Sequence, residues 1–262
     1  MSKFSKLNDY AKYKLKAKDA HGLHSPFVFH LYNAVIEETS AYYDYSKLAR
    51  IRRRLEKDNT ILTVEDFGAG SKVFKGNQRS VADICKHGIS PEKYARLLFR
   101  LVNFAAPATI IELGTSLGLT TMYLAAARKK AKVYTLEGSP SLADFAKMKF
   151  AENKYSNIEV LKGNFDDELP KLLGKIDRAD FVYIDGNHSK EPTLNYFELV
   201  LQKSHNDTVI VFDDINWSDG MKAAWEEIKK HPKVSLTVDV YFMGIVFLRK
   251  EHKQKEHFVL KY

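Results

Sequence analysis

The chain has 262 residues, 45% hydrophobic and 28% charged, the balance of an ordinary soluble globular protein. That length fits one large α/β domain with an added segment, or two small domains. The single cysteine, Cys85, excludes an intramolecular disulfide framework and a cysteine zinc site. No apolar run reaches the ~20 residues that span a bilayer, and the lysine-rich N-terminus lacks the apolar stretch of a secretory signal; no membrane partner and a cytoplasmic location are therefore expected. The net charge of +8 keeps a nucleic-acid partner open. The lysines are scattered, however, with clusters at 3–18, 50–54 and 250–255, and scattered surface lysine more often serves solvation.

Residues 1 to about 58 read as mostly helical. A basic amphipathic segment, Lys3 to Lys18, carries Phe4, Leu7, Tyr10, Ala11, Tyr13 and Leu15. Ser25 before Pro26 is a helix start, with serine as cap and proline at the first helical position; Phe27, Phe29, Leu31, Tyr32, Val35 and Ile36 would bury that helix. His21, His24 and His30 lie close together without acid or cysteine ligands beside them, so capping and packing are favoured over a metal site, and His24 is kept as a minor candidate for an acceptor pocket. Thr60 to Ser71 ends in Asp66-Phe67-Gly68-Ala69-Gly70 but lacks a following strand with a terminal acid. Residues 67–79 are read as a flexible glycine-containing loop beside the site, a candidate lid, with a plain surface loop as the alternative. Ser90-Pro91 starts a helix to about Asn103 that buries Tyr94, Leu97, Leu98, Leu101 and Val102.

The chain is organised around Ala108 to Thr120. Ile110, Ile111 and Leu113 make a short buried strand that runs into Gly114-Thr115-Ser116-Leu117-Gly118 and then a helical pattern with Leu119, Met122, Tyr123 and Ala126 on one face. Glycines there let backbone approach a ligand, and the helix N-terminus offers unpaired N–H groups to polar or anionic atoms. Lys132 to Glu137 is a second strand; its terminal acid stands where nucleotide-like sites of this topology bind ribose hydroxyls. From Thr109 onward strand and helix alternate, the pattern of a parallel sheet with helices on both faces. A third strand, Asn157 to Leu161, precedes Gly163-Asn164-Phe165-Asp166, with Asp166 read as a helix cap. A fourth, Asp180 to Ile184, ends in Asp185-Gly186-Asn187-His188, and a fifth, Thr208 to Phe212, ends in Asp213-Asp214. If those two are neighbours, their tips lie ~5 Å apart, and the crowded carboxylates need a cation or hydrogen-bond donors to offset them. Oxygen ligands suit Mg²⁺ or a similar divalent ion. Gly220 to Lys229 is an amphipathic helix; 234–240 and 243–248 form a hairpin, and Phe258 to Leu260 an optional edge strand.

The spacing E-x-G-x-x-x-G, on Glu112, Gly114 and Gly118, is not the dinucleotide spacing G-x-G-x-x-G. It resembles motif I of the class I S-adenosylmethionine (SAM) dependent methyltransferases. I-D-G-x-H on Ile184 to His188 and F-D-D-I on Phe212 to Ile215 resemble the O-methyltransferase branch, whose catechol O-methyltransferase-like members bind a divalent metal with an acid after strand four and an acid pair after strand five. The likeness covers residues 90 to 250. It implies an α/β fold, a Rossmann-like seven-stranded methyltransferase sheet with an antiparallel last strand, here preceded by a helical N-terminal extension (1–89) to the SAM-binding domain (90–262). It implies SAM as cofactor, held by Glu112, Gly114, Thr115, Ser116, Gly118, Glu137, Gly138, Asn164, Phe165 and Asp185, and a metal on Asp185, Asp213 and Asp214. One departure matters: where the metal-dependent group has a lysine base, this chain has His188, a form found in a branch that methylates sugar and small-molecule hydroxyls.

The expected reaction is methyl transfer from SAM to the hydroxyl of a small molecule or sugar by in-line displacement, with His188 and Asp185 catalytic and His188 the base. An RNA methyltransferase stays open on charge, and a NAD-dependent oxidoreductase on the glycine turn and Glu137. A homodimer is neither required nor excluded.

Overall fold

The computed structural model describes residues 3–65 and 76–262, the side chains of 3–7 excepted. The N-terminal part contains α1 (Lys3–Lys16), α2 (Pro26–Leu31) running into a π-helical turn at Tyr32–Ile36, α3 (Tyr43–Leu55), the strands β1 (Ile61–Thr63) and β2 (Gln78–Ser80), and α4 (Val81–His87). The alternating part follows: α5 (Glu92–Ala105), β3 (Thr109–Leu113), α6 (Leu119–Ala127), β4 (Lys132–Glu137), α7 (Pro140–Glu152), β5 (Ile158–Lys162), α8 (Phe165–Lys175), β6 (Ala179–Ile184), α9 (Lys190–Leu201), β7 (Ser204–Phe212), α10 (Asp219–Lys230), β8 (Leu236–Asp239), β9 (Gly244–Phe247) and β10 (Glu256–Val259). Among the described residues no helix is long and apolar enough to cross a membrane.

One sheet carries the molecule, in the order β10-β8-β9-β7-β6-β3-β4-β5. Strand β9 alone runs antiparallel to its neighbours; the remaining pairs are parallel. Seven of the strands are the expected sheet with its antiparallel member. The eighth, β10, lengthens the edge beside β8, so the 258–260 segment does pair, and the sheet is larger than the seven strands expected.

Val, Ile and Phe supply both faces of the central strands, which is why they read as apolar runs rather than alternating ones. Phe181 and Tyr183 of β6 pack toward α2 and α5, whereas Val182 and Ile184 pack toward α8, α9 and α10. Each such side chain removed from water contributes about 1.5–3 kcal/mol. The first ninety residues complete this core. Val28, Leu31, Tyr32 and Val35 sit in the α5 layer, and α3 and α4 pack with α6 and α7. Phe29 departs from expectation: it points outward, 47% exposed, and Val28 takes the inner position. β1 and β2 are antiparallel to each other and form a separate two-stranded sheet, so the strand before Asp66 is not part of the sheet that carries the Gly114 turn. Most of the predicted 67–79 loop lies outside the described residues. Its base does dock beside the main sheet, where Ser141 Oγ donates to Thr63 O (2.5 Å) and Glu65 N donates to Ser139 Oγ (3.3 Å).

The C-terminal tips of the parallel strands stay hydrogen-bonded past the regular ladder. Gly114 N donates to Leu136 O, Asp185 N to Leu113 O and Asp213 N to Ile184 O, at 2.9–3.0 Å. Gly114 holds φ +103°, and a Cβ there would lie 2.0 Å from the Asp185 carbonyl oxygen. The neighbouring strand tip by itself therefore requires glycine at this position. Gly114→Ala is expected to destabilise the fold by roughly 2–4 kcal/mol through strain and backbone displacement; equilibrium denaturation of the variant measures it.

Candidate active site

Glu112, on β3, is completely buried. Its Oε2 accepts hydrogen bonds from Thr121 Oγ1 (2.5 Å) and Thr135 Oγ1 (2.6 Å), and Thr115 Oγ1 lies 2.5 Å from Thr135 Oγ1. Its Oε1 has no partner. Burial pushes this carboxyl up to about 8, against the lowering effect of the two hydroxyls and with help from the Glu137 charge. Glu137, at the tip of β4, is fixed by backbone: Ser116 N donates to Oε2 (2.8 Å) and Ser139 N to Oε1 (2.9 Å). The turn and the strand-end acid, separated by two dozen residues, are therefore one unit. Gly118 caps α6 in the left-handed region, and Ser116 shares that conformation at φ 50°.

The second half of the site is acidic. Asp213 is buried at the tip of β7. Tyr183 Oη donates to Asp213 Oδ2 (2.6 Å) and lies 3.0 Å from Asp185 Oδ2; Ser90 Oγ also donates to Asp213 Oδ2 (2.9 Å), and Asp214 N to Asp213 Oδ1 (2.8 Å). His188 stands between two acids, with Nε2 3.7 Å from Asp185 Oδ1 and Nδ1 4.0 Å from Asp214 Oδ2. Burial together with the facing charges of Asp213 and Asp214 raises the Asp185 carboxyl well above the usual range. Burial lowers the His188 imidazole, with Asp213 opposing. Asn187 (φ 67°), His188 (φ 39°) and Asp214 (φ 53°) all hold left-handed backbone, a strain of about 1–3 kcal/mol each that tends to collect at functional sites.

Tyr183 and Ser90 were not singled out in the sequence. Tyr183 carried a signal: it lies two residues before Asp185 on one strand, hence on the same face. Ser90 carried none, since a serine before proline reads as a helix cap and its partner is 123 residues away.

Phe165 sits where a Cβ on Gly186 would meet its ring at 2.5 Å, and it packs edge-on against Tyr196. It is thereby adjacent to Asp185. Asn164, not Asp166, caps α8, its side chain accepting from Asp166 N at 3.2 Å; the helix begins earlier than expected because Asn164 already has the extended backbone of a cap. His24 lies away from this group. With Pro26, Phe27, Arg249 and Glu256 it lines a groove of about 470 Å³. Arg249 follows β9, whose Phe247 pairs with Val209 rather than with the tip of β7, so the groove is at the other edge of the sheet and His24 does not reach the acidic strand tips, contrary to the acceptor-pocket expectation. His21, His24 and His30 are all exposed.

Two groups were expected here. SAM, which carries a sulfonium and an ammonium, fits. Beneath the turn lies a buried carboxylate oxygen without a partner, and a cationic ligand offsets the charge that burial otherwise suppresses. A divalent metal does not fit the donors as arranged. The imidazole occupies the space between Asp185 and Asp214, and the Asp213 oxygens already accept from two hydroxyls and a backbone N–H. Among the described residues no group of three or more His, Cys, Asp or Glu is placed to hold a metal ion. The crowding is offset by hydroxyl donors instead.

Comparison with known proteins agrees with this architecture. Residues 111–215, from the core of β3 to just past Asp214, match a family described as a methyltransferase domain. The match takes in the glycine turn, Glu137 and the acids after β6 and β7. The chain is 31% identical over 111 residues to the O-methyltransferase imqG of Aspergillus flavus, covering 40% of this chain and 44% of that protein. It is 30% identical over 130 residues to a catechol O-methyltransferase of Niastella koreensis, covering 48% and 58%. The chain thus spans about half the length of the curated relatives it matches. Among solved structures, the SAM complex of the O-methyltransferase TomG from Streptomyces achromogenes superposes with a TM-score of 0.57 at 20% identity, over 85% of this chain and 95% of that one. The methyltransferase sheet is therefore shared well beyond the region of sequence likeness.

The raised Glu112 carboxyl has a consequence for stability. A group whose pKa is higher folded than unfolded contributes stability that is complete below its unfolded value and is lost as pH rises through its folded value. Stability should therefore fall between about pH 4.5 and 8 on account of this residue, by roughly 1.4 kcal/mol for each pH unit crossed. Glu112→Gln is expected to remove that slope, so that the variant gains on the wild-type domain at pH 8 relative to pH 5 in denaturant titrations.

Proposed function

We propose that this chain is a SAM-dependent methyltransferase acting on the hydroxyl of a small molecule. The observation that carries the reading is that the Gly114 turn, Glu137, and the Asp185, His188 and Asp213 group occupy adjacent strand tips on one edge of one sheet. The O-methyltransferase relatives support it. Glu137 would hold the ribose diol, since a carboxylate accepts two hydrogen bonds from neighbouring hydroxyls. Glu112, Gly114, Thr115, Ser116 and Gly118 would hold the amino-acid end, and Gly138, Asn164 and Phe165 the base, with Asp185 between the two ends. When bound, SAM supplies an electrophilic methyl group on a sulfonium.

The protein's contribution is positioning and proton removal. His188 takes the proton of the acceptor hydroxyl as its oxygen becomes the nucleophile. The lowered imidazole pKa leaves the ring in the accepting form at neutral pH. Asp214, beside Nδ1 of the ring, stabilises the imidazolium that forms, Asp185 flanks Nε2, and the hydroxyls of Tyr183 and Ser90 keep Asp213 fixed behind them. No metal enters this scheme. The antiparallel β9 within the sheet favours this reading over a NAD-dependent oxidoreductase, and the comparisons supply no support for an RNA substrate.

His188→Ala is expected to lower kcat by about 10²–10⁴-fold while the thermal shift produced by SAM stays near the wild-type value; loss of both together would mark the histidine as structural. Wild-type activity should rise with pH along an acid limb below pH 6.5, because the base form appears at lower pH than for a free imidazole, and His188→Ala should lack that limb. Methyl transfer should survive exhaustive chelation; loss restored by Mg²⁺ would return Asp185, Asp213 and Asp214 to the role of metal ligands. SAM, and not NAD, should raise the melting temperature.

A further inference from the structure

The N-terminal helix meets the sheet at the same edge as the acids. Asp9 of α1 pairs with Lys222 near the start of α10 (2.5 Å). Tyr13 Oη donates to Leu260 O (2.6 Å) and accepts from Tyr262 N (3.1 Å). Tyr10 packs edge-on against Tyr241 at 4.9 Å. Tyr241 and Phe242 form the turn between β8 and β9, and β9 starts at Gly244, which pairs with Phe212. That turn is therefore level with Asp213, and Ile215 N donates to Phe242 O (3.2 Å). Tyr94, one helical turn beyond the Ser90 that binds Asp213, completes the wall with its ring 5.2 Å from that of Phe242. Tyr10 and Phe242 keep 39% and 44% of their surface exposed, so the wall presents aromatic surface to solvent near the Asp213 strand tip.

Two cations edge this wall. Lys14 Nζ lies 5.4 Å from the Tyr10 ring centre, and Lys93 Nζ 4.1 Å from that of Tyr262. Among the described residues neither ammonium has a carboxylate partner. Partial burial first, and then the nearby charges of Lys14 and Arg100, lower the Lys93 ammonium. The floor of the site is acidic and would repel an anionic ligand; the rim attracts one. A molecule with a hydroxyl at one end and an anion at the other is held in one orientation by that contrast, hydroxyl toward His188 and anion toward the lysines.

We propose that α1 and the first turn of α5 form an acceptor-selecting rim, and that the acceptor is a flat hydroxylated molecule bearing an anionic group that Lys14 and Lys93 bind. The proposal rests on the methyl-transfer reading for the identity of the site, and it is tested by binding. The probes are 3,4-dihydroxybenzoate and its methyl ester, which differ in charge at nearly constant shape, titrated calorimetrically into the full chain with S-adenosylhomocysteine present. The wild-type protein is expected to bind the acid about tenfold more tightly than the ester, the gain of charge-assisted contacts. In Lys14→Gln/Lys93→Gln the ratio falls to about one, in Lys14→Arg/Lys93→Arg it persists, and added salt weakens the acid alone. A wild-type ratio near one overturns the proposal, as does a ratio that the glutamine substitutions leave unchanged. Transfer of radiolabelled methyl is followed in parallel: acid-selective binding without transfer to either probe upholds the rim and removes the methyl-transfer reading.

Discussion

The structure depends on parallel strands that remain bonded beyond their ends. Leu113 accepts from Asp185, Leu136 from Gly114 and Ile184 from Asp213. These bonds lock three loops into one register at the moment each leaves the sheet, and no element of the site has to be placed by a long flexible loop. The cost falls on Gly114, which has no room for a side chain against the Asp185 carbonyl. Chemistry at a strand-tip edge is a general property of open α/β sheets; here it is achieved by bonds between the tips themselves.

Bringing acids together this way creates an electrostatic problem, which is met by neutral donors. Tyr183 and Ser90 hold Asp213, backbone N–H groups hold Glu137, and threonine hydroxyls hold Glu112. Hydrogen bonding to a carboxylate favours its charged form, whereas burial opposes it. For Asp185 and Glu112 burial wins, and for His188 it outweighs the nearby Asp213. The result is a cleft in which burial disfavours the charged form of Asp185, Glu112 and His188 alike.

Much of this was legible in the residues. The glycine turn, the strand-end Glu137 and the acids after β6 and β7 were visible because each follows an apolar run whose length and composition mark a buried strand. What escaped has a physical cause in each case. Ser90 belongs to the site through a contact across 123 residues, which no local pattern reports. Tyr183 looked like one more core aromatic; its hydroxyl end binds Asp213 and reaches Asp185 at the strand tips. His24 was drawn toward the site by its proximity in sequence to other histidines, yet the sheet separates them. The docking of α1 on the C-terminal segment and the β8–β9 turn is a contact across 247 residues, which no local pattern reports.

The most direct measurement is a crystal structure of the chain with S-adenosylhomocysteine. Ribose hydroxyls are expected on the Glu137 carboxylate, the amino-acid end over the Gly114 turn beside Glu112, and the sulfur turned toward the cleft that holds His188. A nucleoside bound elsewhere, or ribose hydroxyls that do not touch Glu137, would contradict the assignment of this sheet edge as the methyl-donor site.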